Sequence, residues 1–182
     1  YHDVANVGVL LGQPDRAREI TAYYQSRVAR IRAGWRAVRE ADRPRVLVVE
    51  YTERGGAAAV RVPAKPWMQT LEVETAGGRP VWLDSAAPTS GWTVVNLEQI
   101  ARWDPDLIVL SVWHSLDPAK VVATLKADPQ WRALRAVRTG GLRVFPADFH
   151  GWDTPDPRWL LGLTWLAKPL QPARFRSLDV AA

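Results

Sequence analysis

Two short runs, RVLVVEY at 45–51 and DLIVLSV at 106–112, constrain what this chain can fold into more than any other feature. Both are rich in Val, Leu and Ile, apolar at almost every position and too short for a helix. That is the pattern of a strand covered on both faces, as in a parallel sheet. A third, weaker run lies at 142–146. Between them, helices are expected near 66–75, 96–102, 118–126 and 157–168, each opened by a proline or a capping residue. Strand alternating with helix predicts an α/β fold, a three-layer αβα sandwich lobe with a mostly parallel sheet.

Ahead of that lobe, Ala17, Ile20, Tyr24, Val28, Ile31, Trp35 and Val38 recur at spacings of three and four, which keeps one face apolar throughout. The pattern predicts one long helix over 14–43, entered at Pro14 and closed by Arg43-Pro44. At ~1.5 Å per residue it would be roughly 40 Å long, more than a small domain needs, so it is expected to brace or bridge something. The segment 54–66, with Gly55-Gly56 and alternation at Val60 and Val62, reads as either an edge strand or a loop.

Composition narrows the function. A length of 182 residues with 47% hydrophobic content suffices for a sizeable core. There is no cysteine, which removes disulfides, thiolate metal sites, iron–sulfur clusters and cysteine nucleophiles, and suits export. The net charge of +5 comes from arginines spread from Arg16 to Arg176 among nearly as many acids, a solvated basic surface with no nucleic-acid partner expected. No apolar run approaches the ~20 residues that span a bilayer. The chain begins at Tyr1 without Met, basic or apolar leader features, so a targeting segment is expected to have been removed or not included.

In open parallel sheets ligands sit beyond the carboxyl ends of the strands. After the first strand come Thr52, Glu53 and Arg54; after the second, Trp113 and His114; after the third, Asp148, Phe149, His150, Trp152 and Asp153. Trp67 and Trp92 are expected in connections opening on the same edge. With 10 tryptophans in the chain, several in loops, the rim suggests a surface for flat or bulky ligands, the alternative being that they cap the core. His114 and His150 could converge with Asp148 or Asp153 on a metal, but two histidines on separate loops leave no directly coordinated metal expected. Phosphate-loop, dinucleotide, nucleophile-elbow and zincin motifs are all missing, and the Gly doublets at 55–56, 77–78 and 140–141 suit turns. His150, Asp153 and Ser115 could supply a base and nucleophile, yet nothing in their spacing prefers it, and no enzyme is expected.

Taken as a series, these segments resemble the substrate-binding proteins of ABC importers for iron–siderophore, haem, cobalamin and molybdate-type ligands, whose two lobes are joined by one long rigid helix. VGVLLGQPDRAREITAYYQSRVARI looks like the end of the amino-terminal lobe entering that helix. RPRVLVVEY is similar to the first strand of the carboxy-terminal lobe, followed by the helix at 67–74 and the AGG of 76–78. WTVVNLEQIARWDPDLIVL carries the most specific likeness, a strand, an N-x-E turn into a helix and a PD-hydrophobic strand. DPQWRALRAVRTGGLRVFP and GWDTPDPRWLLGLTWLAKPLQPARF are similar to the closing segment.

The resemblance implies a division into 1–13 (end of an amino-terminal lobe), 14–43 (bridging helix) and 44–182 (carboxy-terminal lobe). It implies a carrier, without chemical turnover or cofactor, that captures an iron or other metal chelate and delivers it to the permease subunits of an importer. The alternatives are a molybdate, tungstate or free-metal-ion receptor and, less expected, a His/Asp-dependent hydrolase. Glu98 aligns with the glutamate that docks on the permease; Trp152 with the aromatic before the last helix that contacts ligand. Trp67, Trp92, Trp113, His114, Arg54 and His150 are assigned to the cleft by their place at strand ends. The implied location is periplasmic, or extracellular and membrane-anchored. Because the amino-terminal lobe is not in this sequence, half the pocket is missing, and the bared faces are expected to favour a homodimer.

Overall fold

The computed structural model describes residues 1–54, 57–112, 116–147, 151–178 and 180. In chain order the elements are α1 (His2–Leu10), α2 (Pro14–Trp35), a 3₁₀ turn (Glu40–Asp42), β1 (Arg45–Arg54), β2 (Ala57–Pro63), α3 (Met68–Thr75), β3 (Arg79–Pro80), β4 (Trp92–Val95), α4 (Leu97–Trp103), β5 (Leu107–Val112), α5 (Pro118–Ala127), α6 (Pro129–Arg132), α7 (Arg135–Arg138), β6 (Leu142–Val144), α8 (Trp159–Leu170) and α9 (Pro172–Phe175). The sheet order is β4-β2-β1-β5-β6, with β3 pairing the start of β1. β3, β5 and β6 run with β1, and so does β4, because it is antiparallel to β2. Among the described strands only β2 runs against the rest, so the sheet is mostly parallel.

Both apolar runs are central strands, and Val46 to Val49 and Ile108 to Leu110 are wholly buried. Alternation sends Val46, Val48 and Glu50 to one face and Leu47, Val49 and Tyr51 to the other. The first face is covered by α3 and α8: a Cβ on Gly78 would meet Val46, Val73 and Leu170 together. On that face Phe145 also packs on Trp165 of α8, ring centroids 5.4 Å apart. The opposite face carries α4 to α7, giving helix, sheet and helix layers around one core.

Two expectations are corrected. The segment left open between edge strand and loop is β2, and it is interior, since β4 pairs along its outer side. Its alternation explains why: Val62 is buried, while Arg61 points to the other face opposite Glu50. The long helix ends at Trp35, eight residues before position 43. The cause is tertiary. Trp35 Nε1 donates to the Thr75 carbonyl at 2.8 Å, and the Arg43 guanidinium folds back over the Trp35 ring at 4.3 Å. That return needs a turn, closed by Val38 N–H on the Trp35 carbonyl at 2.7 Å. The 22 residues of α2 make it ~33 Å long. It lies against α8 and α3 through Val28 and Ile31, and Tyr24 donates to the Pro157 carbonyl at 3.0 Å and meets Trp159 edge-on.

Candidate functional site

Because five strands share a direction, their carboxyl ends share one edge, and the elements that leave it supply the rim. Thr52 and Glu53 close β1, where Tyr51 donates to Glu53 Oε1 at 2.7 Å. Burial, with that hydrogen bond, pushes the Tyr51 phenol up to about 12, so it remains a donor. Beyond β4, Asn96 caps α4 reciprocally: Gln99 N–H donates to Asn96 Oδ1 at 2.9 Å and Asn96 N–H to Gln99 Oε1 at 3.0 Å. Glu98 stands exposed in that first turn, at the positive end of the helix dipole. Beyond β6, Ala147 bridges to Gly151 and Trp152 N–H donates to the Pro146 carbonyl at 3.1 Å, which folds Trp152 back over the edge.

Helix α3 joins two clusters. Trp67, its N-cap residue, meets Trp92 edge-to-face, with ring centroids 5.2 Å apart and planes at 86°. The Arg61 guanidinium lies 5.9 Å from the Trp92 ring and pairs with Glu50, a carboxylate only 1% exposed. Two positions into α3, Gln69 Nε2 donates to Asp153 Oδ2 at 3.3 Å, beside Trp152. Glu72, one turn further, is wholly buried. Burial first, and then the Asp153 charge, holds its carboxyl well above the ordinary carboxylate range.

The structure thus brings Trp67 and Trp92 together and sets Trp152 against the same helix. Trp92 departs from expectation in two respects: it is not in a connection but is the first residue of β4, opposite Pro63, and it therefore lies at the amino end of that strand rather than at the carboxyl edge, with the pleat turning it toward α3. Arg54 is the last residue of β1, paired with Ala57. Trp113, His114 and His150 lie outside the described residues, as do Asp148, Phe149 and Ser115. Asp153 faces Gln69 and Glu72 rather than solvent, and among the described residues no group of three His, Asp or Glu could hold a metal. Glu50, Arg61, Gln69 and Glu72 are absent from the sequence-based candidates. Glu50 alone carried a signal, as the one acid inside an apolar strand. A groove of about 430 Å³, lined by Arg43, Arg45, Asp106 and Gly140, sits at the amino ends of the strands, on the edge away from these clusters.

The family model described as periplasmic binding protein matches residues 1–149. The chain belongs to that family. It is one of transporter binding proteins rather than of enzymes, and its name carries a periplasmic setting. The molybdate-binding protein MolA of Haemophilus influenzae is 32% identical over 111 residues, 60% of this chain and 30% of MolA. A periplasmic heme binding protein from Pseudomonas aeruginosa shares 27% identity at a TM-score of 0.73, over 95% of this chain and 59% of that one. An ABC transporter solute binding protein from Sulfurospirillum deleyianum has the same fold, with a TM-score of 0.79 at 21% identity, over 99% of this chain and 53% of the other. The chain therefore spans about a third of the curated relative and little more than half of the solved structures it matches.

Proposed function

We propose that this chain is the carboxy-terminal lobe and bridging helix of an ABC-importer substrate-binding protein that captures a metal chelate, an iron–siderophore, haem or cobalamin, and passes it to the permease. The observation that carries the reading is the Trp67–Trp92 pair at the head of α3, the helix on which Gln69 also anchors the turn of Trp152 through Asp153, in a protein of this family. Indole faces pack on flat or bulky ligands, and a site of this kind needs few polar contacts to fix orientation. Arg54, Trp113, His114 and His150 complete the proposed contact set. Glu98, exposed at the head of α4, is the docking carboxylate for the permease. On this reading the protein works exported, in the periplasm or anchored at the outer side of the membrane, with an amino-terminal lobe supplying the other wall of the pocket. Bridging by a helix rather than by strands keeps closure small.

A second reading has a specific observation behind it, the molybdate-binding relative at 32% identity. An oxyanion site needs convergent donors, and Arg61 is a cation beside the aromatic pair. Tryptophan-fluorescence titration with ferric hydroxamate, haem, cobalamin and molybdate separates the two. Saturable quenching by a chelate, weakened in Trp152→Ala, is expected; saturation by molybdate alone would replace the chelate reading with the oxyanion one. Glu98→Ala should leave any such titration unchanged while lowering uptake by the reconstituted importer.

A further inference from the structure

The turn that carries Trp152 rests on buried polar atoms that have no counterparts. Among the described residues neither carboxylate oxygen of Glu72 has a hydrogen-bond partner, and the side chain is wholly buried. Gln69 is 7% exposed, and its Oε1 is unmatched while its Nε2 serves Asp153, itself 2% exposed. The Trp152 indole N–H is buried and, among the described residues, unmatched as well. Helix α8 passes this place at Gly162, where a Cβ would sit 3.0 Å from Glu72 Oε1 and even closer to the Trp152 carbonyl oxygen. Glycine there lets α3, α8 and the turn meet with the two acids between them.

Buried polar groups are nearly always paired, and an ionised carboxylate without a donor is far costlier to bury than a neutral one. A second carboxylate charge beside the first in a dry site is strongly disfavoured, so an acid buried like Glu72 keeps its proton. Every element on α3 bears on which charge Glu72 meets. The turn contributes Asp153. At this level α8 presents Gly162, and β1 presents Val46, Val48 and Glu50, the last paired with Arg61. Against the carboxyl end of the helix, α2 places the Trp35 indole, and Arg79 of β3 follows beyond it. Among the described residues, Asp153 is the charge that acts on Glu72.

We propose that Glu72 is the positioning residue for Trp152, a neutral acid whose lack of charge lets the 151–154 turn pack beside Asp153 against α3 and α8. Loss of its proton puts a second negative charge under the turn and loosens it, so the aromatic contact is set correctly only while Glu72 is protonated. The consequence for ligand binding rests on Trp152 being a ligand contact; the coupling of Glu72 to Trp152 does not.

Fluorine NMR of the fluorotryptophan-labelled chain tests this without a ligand, the Trp152 resonance being assigned by its loss in Trp152→Phe. In the wild-type chain that resonance should shift in one titration step as the pH rises from weakly acid to alkaline. The step should vanish in Glu72→Gln and move to lower pH in Asp153→Asn, which removes the neighbouring charge. A resonance that does not titrate, or titrates alike in wild type and Glu72→Gln, overturns the proposal. Should Glu72→Gln fail to fold, the Asp153→Asn arm decides, an unmoved step overturning it. Haem titration of Trp152→Phe tests the other reading separately: unchanged haem binding would remove Trp152 from the ligand contacts and leave the Glu72 coupling standing.

Discussion

Gly77 shows how little freedom the packing leaves at single positions. Its φ of +88° favours glycine, and a Cβ there would lie 2.5 to 2.8 Å from three atoms of the Trp35 indole. Trp35 cannot retreat, because its N–H is held by Thr75 and its ring is covered by Arg43. Gly77→Ala should therefore cost ~2–4 kcal/mol, read by chemical denaturation, from strain and overpacking together. Glu72 makes a second prediction, with a definite sign. Its folded pKa is raised, so its contribution to stability is complete below the ordinary value of 4.5 and is lost as pH rises through the folded value. Thermal melts of Glu72→Gln should match wild type in acid and lie progressively above it toward alkaline pH. Such residues were hard to read from the sequence. Glu72 sits in LEVET, where an acid on the buried side of a helix looks like one on the wet side until α8 is known to cross at Gly162.

At the scale of elements, strands were the most legible, because an apolar run with both faces buried admits few other structures. RVLVVEY and DLIVLSV occupy the centre of the sheet within a few residues of the expected bounds. Helix starts were also legible through local chemistry, as in the Asn96 and Gln99 capping pair. Asn96→Ala should cost ~1 kcal/mol of stability in denaturant titration, leaving ligand binding untouched. The end of α2 was not legible: apolar spacing continues to Val38, and only the pull of Thr75 and Arg43 on Trp35 stops the helix earlier. Nor could β2 be placed, since short alternation fits an edge or an interior strand until its second partner, β4, is known. The aromatic site divides the same way. The positions of Trp67 and Trp152 beside α3 and after β6 could be read from the sequence, whereas Arg61 and Glu50 meet only through the register of β1 on β2.

At the scale of the whole molecule, α1 is the outlier. Val9, Leu10 and Leu11 are 71%, 83% and 70% exposed, and α1 packs on α2 alone among the described elements with which it shares extensive contact. An apolar surface of this kind drives association. Sedimentation velocity of this 182-residue chain should show a concentration-dependent dimer, lost in Leu10→Lys with Val9→Lys; a monomer at all concentrations would count against the homodimer.

The lone antiparallel strand has a consequence in time rather than in space. β1 meets β2 almost at once along the chain, Arg54 opposite Ala57, whereas its parallel neighbour arrives much later: Arg45 N–H is held by Asp106 across 61 residues. Hairpins close in ~1–10 μs, and distant parallel pairing is slow because long loops must close first. As the polypeptide emerges, β1 thus gains a partner on one side long before β5 exists to cover the other. The strand that breaks the parallel order is the one that lets the middle of the sheet begin to assemble early, while the other edge of β1 stays unpaired until β5 arrives.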